Sequence, residues 1–149
     1  MNERYERMLA ELPEGMQNAV RTEAMQRIGA VDMNCGMNYT SYPNFVSISP
    51  YSRLEHSIGT AWILWKTTGN PAISYAGLFH DIATPVFSHV IDFLNGDYET
   101  QESTEALTGT VIHNSQALCR ILESEQIPLS AAEDYHQYPL ADNASPRLC

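Results

Sequence analysis

Positive charge is scarce in this chain. Only 8 Lys and Arg stand against 18 Asp and Glu, which gives a net charge of −10 and a pI near 4.7. That balance disfavours non-specific binding to nucleic acid or to an anionic membrane. A phosphorylated substrate would therefore depend on local positive charge, from a metal ion or a placed arginine. Cysteine is also sparse. Cys35, Cys119 and Cys149 have no paired spacing and form no CxxC motif, which argues against a structural zinc ribbon and for a reducing compartment. No apolar run approaches the roughly 18 residues that a bilayer span needs. The first residues, Asn2 to Arg7, hold no apolar signal region, so the cytoplasm is the expected location. Internal repeats and low-complexity tracts are missing too. What is left is a single domain over 1–149, with 44% apolar residues to build a core.

Helical periodicity dominates. Tyr5, Met8, Leu9 and Leu12 mark a helix over 3–12 that Pro13 ends. Met16, Val20, Ala24, Met25 and Ile28 predict a second over 13–28, with Gly29 as its stop. From 32 to 50 turn formers mix with aromatic and β-branched residues, which predicts an irregular loop with a short hairpin around Pro43-Asn44, lying over the site. Ser52 followed by Glu55 matches a capping box opening a helix to Thr67 or Thr68, stopped by Gly69-Asn70. Its buried stripe is Leu54, Ile58, Ala61, Trp62 and Trp65. Asn70-Pro71 starts the next helix, with Ile73, Ala76, Gly77 and His80 on one stripe and Pro85 behind it. Shorter helices are expected over 86–94, 100–113, 115–125 and 130–136. The fold class is all-α.

Chemistry concentrates between 52 and 92. His56, His80 and His89 lie there with Asp81 and Asp92, among apolar and small residues. A lone buried histidine is more often a hydrogen-bonded core residue than a ligand, but His80 adjoins Asp81. Flanked by Leu78, Phe79 and Ile82, that doublet would bury a carboxylate at a cost of several kcal/mol unless something compensates it. A divalent cation does so directly, and imidazole and carboxylate suit it. Neighbours on a helix project about 100° apart. The doublet therefore reaches one ion only at a helix end, which Pro85 would provide. Arg53 shares a helical face with His56 and reads by itself as a partner for Glu55 or another acid. His89 and Asp92, three apart, form either a working pair in which Asp92 orients or charges His89, or a solvated contact.

The pattern Arg-x-x-His-Ser-x-Gly at 53–59, His-Asp 24 residues after that histidine, and Phe-Ser-His at 87–89 resembles the HD-domain metal-dependent phosphohydrolases. The likeness is to the branch that contains deoxynucleoside triphosphate triphosphohydrolases, and it covers roughly residues 25–145. It implies an HD-domain helical bundle in which His56, His80 and Asp81 hold a divalent metal ion: Mn, Fe, Ni, Co, Zn or Mg. It implies Arg53 as a contact to substrate phosphate, and His89 and Asp92 as catalytic residues of the reaction pocket. The chain departs from the family pattern in three places. Thr84 stands where the family has a further histidine. Gln101 replaces a catalytic histidine and cannot act as a general acid at neutral pH. The fourth metal ligand, an Asp on a later helix, has Asp134 and Asp142 as remaining candidates; a domain shortened before that ligand is the favoured expectation. His113 and His136 fall outside the motif.

The expected function is metal-dependent hydrolysis of a nucleotide or other phosphate ester, with water activated by the ion. The alternative is a catalytically weak metal- and nucleotide-binding sensor or scaffold. A phosphorylated small molecule or nucleotide is the expected partner, nucleic acid and membrane are not, and homo-oligomerisation is left open.

Overall fold

Ser52 starts the helix on which the rest of the fold leans. Its Oγ accepts from the Glu55 backbone N at 3.3 Å, while the Glu55 carboxylate accepts from the Ser52 N at 2.9 Å, completing the capping box. Glu55 also accepts from the Asn2 backbone N at 2.7 Å, which ties the start of the chain to the same point. The computed structural model describes residues 1–34, 40–44, 49–86 and 107–138, apart from the side chain of His136.

Eight α-helices occur among these residues, and no strand. They are α1 (Glu3–Ala10), α2 (Glu14–Val20), α3 (Glu23–Arg27), α4 (Arg53–Thr68), α5 (Pro71–Phe79), α6 (Thr108–Asn114), α7 (Gln116–Ser124) and α8 (Leu129–Glu133). Short 3₁₀ turns follow α3, at Ile28–Ala30, and α8, at Tyr135–Gln137. The fold is all-α.

Helices α4 and α5 form the central antiparallel pair. Gly69, with φ of 61°, closes α4 in the left-handed conformation that glycine adopts without a steric penalty. Asn70 then caps α5 through its side chain, with Pro71 at the first helical position. Gly77 lets the pair approach closely, since a Cβ there would run into the Leu64 side chain. Helix α1 packs on α4, α8 packs on α5, and α2 packs on α7. One hydrophobic cluster draws on all eight helices, with Met16, Met25, Ile58, Leu78, Phe79, Ile112 and Leu118 fully buried. Trp62 and Trp65 of the expected stripe lie half-buried at its margin. No helix of the described residues is long and apolar enough to cross a membrane.

Three local expectations need correction. The helix predicted over 13–28 is two helices, because Thr22 breaks it: its Oγ1 donates to the Ala19 carbonyl at 2.7 Å and accepts from the Met25 N at 3.5 Å. A side chain that satisfies both the end of one helix and the start of the next competes with a continuous ladder. The second correction concerns α5, which ends at Phe79, well ahead of Pro85. Third, Pro43 and Asn44 lie in a turn with no strand pairing among the described residues; 45–48 lie outside them. The ends of that loop are pinned beside the start of α4. Asp32 and Ser52 form an antiparallel bridge, and the Arg53 N donates to the Val31 carbonyl at 2.9 Å. The helix expected over 86–94 and the start of the one over 100–113 lie outside the described residues.

Replacing Ser52 by Ala should lower stability by about 1 kcal/mol, the usual worth of an N-cap. The drop should appear as a lower midpoint in chemical denaturation. An unchanged midpoint would mean that packing alone holds the start of α4.

Candidate metal centre

Two helix ends meet at this site. The first turn of α4 supplies Arg53 and His56, and the turn that follows α5 supplies His80, Asp81 and Thr84. Helix α5 stops at Phe79 because His80 takes over one of its carbonyls. The His80 Nδ1–H donates to the Gly77 carbonyl at 2.8 Å, an oxygen that the Asp81 N–H would reach if the helix continued. Residues 80–84 instead turn back, with the Ile82 N bonded to the Phe79 carbonyl at 2.9 Å and the Thr84 N to the Asp81 carbonyl at 3.0 Å. Leaving the helical path is what lets two adjacent residues address one point.

The bond to Gly77 also fixes the tautomer of His80. With the proton on Nδ1, the Nε2 lone pair is available as a ligand. That Nε2 lies 3.5 Å from Asp81 Oδ2, and the Nε2 of His56 lies 4.0 Å from the same oxygen. The imidazoles meet edge to face, with centroids 5.1 Å apart. One ligand atom from each of His56, His80 and Asp81 falls within 4.8 Å of the others. Among the described residues these three form a group suited to hold a metal ion.

The Asp81 carboxylate is divided between two tasks. Its Oδ1 accepts from Arg53 Nη1 at 2.6 Å and from Thr84 Oγ1 at 3.2 Å. Its Oδ2 is buried and has no hydrogen-bond partner among the described residues. A buried acceptor left unpaired costs about 1–3 kcal/mol, and more when it carries charge. A divalent cation between Oδ2 and the two imidazoles removes that cost. The donor set, two nitrogens and a carboxylate oxygen, is one used by catalytic metal sites that keep a position open for water. The residues fit the ion.

Burial pushes the His56 imidazole down to about 4 from its usual value near 6.5, with the neighbouring His80 and Arg53 acting in the same direction and Asp81 against it. His56 is therefore neutral at pH 7, and binding a cation there releases no proton from it.

Arg53, read from the sequence as a phosphate contact or an acid's partner, is 1% exposed and bonded to Asp81. Removing one partner of such a buried pair typically costs about 3–5 kcal/mol. Thr84, noted only as a replacement for a family histidine, is fully buried and supports Asp81. Tyr135 was not singled out; its ring stands perpendicular to His80, with centroids 6.2 Å apart. No sequence signal pointed to that contact. Asp134 is not in the metal-holding group. His89, Asp92, Gln101 and Asp142 lie outside the described residues.

No protein-family model matches the chain, and no solved structure matches it. Among curated proteins it is similar to the uncharacterized protein YdhJ of Bacillus subtilis (strain 168), at 28% identity over 98 residues. That stretch is 66% of this chain and 30% of YdhJ, so the match spans under a third of the relative's length.

The depressed His56 value has a consequence for the metal-free protein. The unfolded chain takes up a proton on this residue near pH 6.5, whereas the folded chain resists until about pH 4. Stability is therefore complete above pH 6.5 and falls as the pH drops toward 4, by at most about 1.4 kcal/mol per pH unit from this group. His56→Gln should reduce the slope of stability against pH between these limits in denaturation experiments. An unaltered slope would show that His56 protonates as readily folded as unfolded.

Proposed function

We propose that the chain is a metal-dependent phosphohydrolase of the HD-domain type, acting on a nucleotide or other phosphate ester. The observation that carries this reading is the bare Asp81 Oδ2, buried and faced by two imidazole Nε2 atoms. The motif resemblance supplies the reaction class. The acidic chain makes a bound cation the natural attractor for a phosphate group.

A divalent ion bound here would supply an activated water and polarise a phosphoryl oxygen. The chain's own residues prepare the position. His80 presents Nε2 because Gly77 holds its Nδ1–H. His56 presents a neutral ring because burial keeps it deprotonated. Arg53 and Thr84 keep Asp81 aimed by occupying Oδ1, which leaves Oδ2 for the ion. In this reading Arg53 acts first on Asp81, and a contact with substrate phosphate adds to that role. His89 assists proton transfer and Asp92 orients or charges it, assignments that rest on the motif.

A competing reading keeps metal and nucleotide binding without turnover. Gln101, standing where the branch has a catalytic histidine, favours it.

The two are separated by a hydrolysis screen with p-nitrophenyl phosphate and deoxynucleoside triphosphates in the presence of Mn²⁺. The hydrolase reading expects turnover that His80→Ala abolishes. Tight Mn²⁺ binding with no turnover of any of these esters would move the chain to the sensor reading. Turnover that survives His80→Ala would place the reaction elsewhere.

A further inference from the structure

The turn that carries the doublet is gripped by an arginine from the N-terminal helices. Arg27, the last residue of α3, reaches across to residues 80–84. Its Nη1 donates to the Thr84 carbonyl at 2.9 Å and its Nη2 to the Ile82 carbonyl at 2.5 Å. Ile82 and Thr84 are both fully buried. Their carbonyls lie beyond the end of α5, and no backbone N–H among the described residues bonds to them. One planar fork satisfies both, which a lysine ammonium does not reproduce.

The grip bears on the ligands. Asp81 sits between His80, anchored on the Gly77 carbonyl, and Ile82, whose carbonyl Arg27 holds. Thr84 donates its hydroxyl to Asp81 Oδ1 while its own carbonyl is held by the same guanidinium. Rotating the 81–84 backbone would swing Oδ2 away from the two imidazoles, and Arg27 resists that rotation at two carbonyls. The turn's own backbone bonds, at Ile82 and Thr84, span only three residues each, and among the described residues those two carbonyls are held by Arg27.

We propose that Arg27 is a positioning residue of the metal centre: by clamping the Ile82 and Thr84 carbonyls it fixes the turn that aims Asp81 Oδ2 and His80 Nε2 at one ion. This rests on the metal reading above. Partners one shell beyond a metal's ligands typically change affinity 10–100-fold when removed. A clamp that serves stability alone would lower the melting temperature and leave the affinity of the folded protein unchanged.

The test is Mn²⁺ binding, by titration, to the wild-type chain, Arg27→Ala, Arg27→Lys and the control Arg21→Ala, whose guanidinium bonds only Asn18 among the described contacts. Thermal melts establish a temperature at which all four are folded. Amide hydrogen exchange of the metal-free proteins reports on residues 80–84. The expected result is roughly tenfold or greater weakening in Arg27→Ala, partial recovery in Arg27→Lys, and faster exchange confined to 80–84. Arg21→Ala should match the wild type. Equal affinity of Arg27→Ala and wild type, measured on folded protein, overturns the proposal and leaves the metal reading intact. A wild-type chain that takes up no Mn²⁺ overturns the metal reading and the proposal together.

Discussion

A buried carboxylate with one oxygen neutralised and the other bare is the constraint on which the site depends. Asp81 is placed among apolar residues, where an isolated negative charge would be strongly penalised. Arg53 offsets that penalty from one side at 2.6 Å. It does so at Oδ1 only, and Thr84 joins it there. A pair built solely for stability would gain by satisfying both oxygens. Here Oδ2 faces two imidazoles instead, and one of them is kept neutral by its own burial. Two imidazole nitrogens and a buried carboxylate oxygen meeting at one point suit a cation, and no hydrogen bond among the described residues occupies Oδ2.

The surrounding fold serves this point. The capping box of α4 fixes the turn from which Arg53 and His56 project, and Glu55 links that turn to the first residues of the chain. Gly77 has two uses on α5: its missing side chain admits α4, and its carbonyl receives His80 and ends the helix. Close packing of the two helices and release of the doublet from helical geometry thus come from one residue. Tyr135, from the turn after α8, stands edge-on to His80.

Features governed by neighbours in the sequence were legible in it. The start of α4 at Ser52 and Glu55, its stop at Gly69, and the start of α5 at Asn70-Pro71 are capping signals with local causes, and all three stand as read. The residue types singled out the His80-Asp81 doublet, and the motif resemblance placed His56 with it; the three converge on one point. Contacts between distant segments were not legible. The partner of Arg53 lies 28 residues away and those of Arg27 lie 55 and 57 away, and no periodicity encodes them. The early end of α5 was placed at Pro85, the visible breaker, although a histidine side chain bonding three residues back ends it sooner. Thr22 was missed for a related reason. A threonine inside an apolar periodicity reads as a tolerated helix residue until its hydroxyl is seen to serve two helix ends.

Elemental analysis of the purified chain, beside Asp81→Ala and His80→Ala, tests the centre most directly. A near-stoichiometric divalent metal in the wild-type chain, lost in both folded variants, is the predicted result. A wild-type chain that stays free of metal after Mn²⁺ and Ni²⁺ are supplied, or variants that retain the ion, would contradict it.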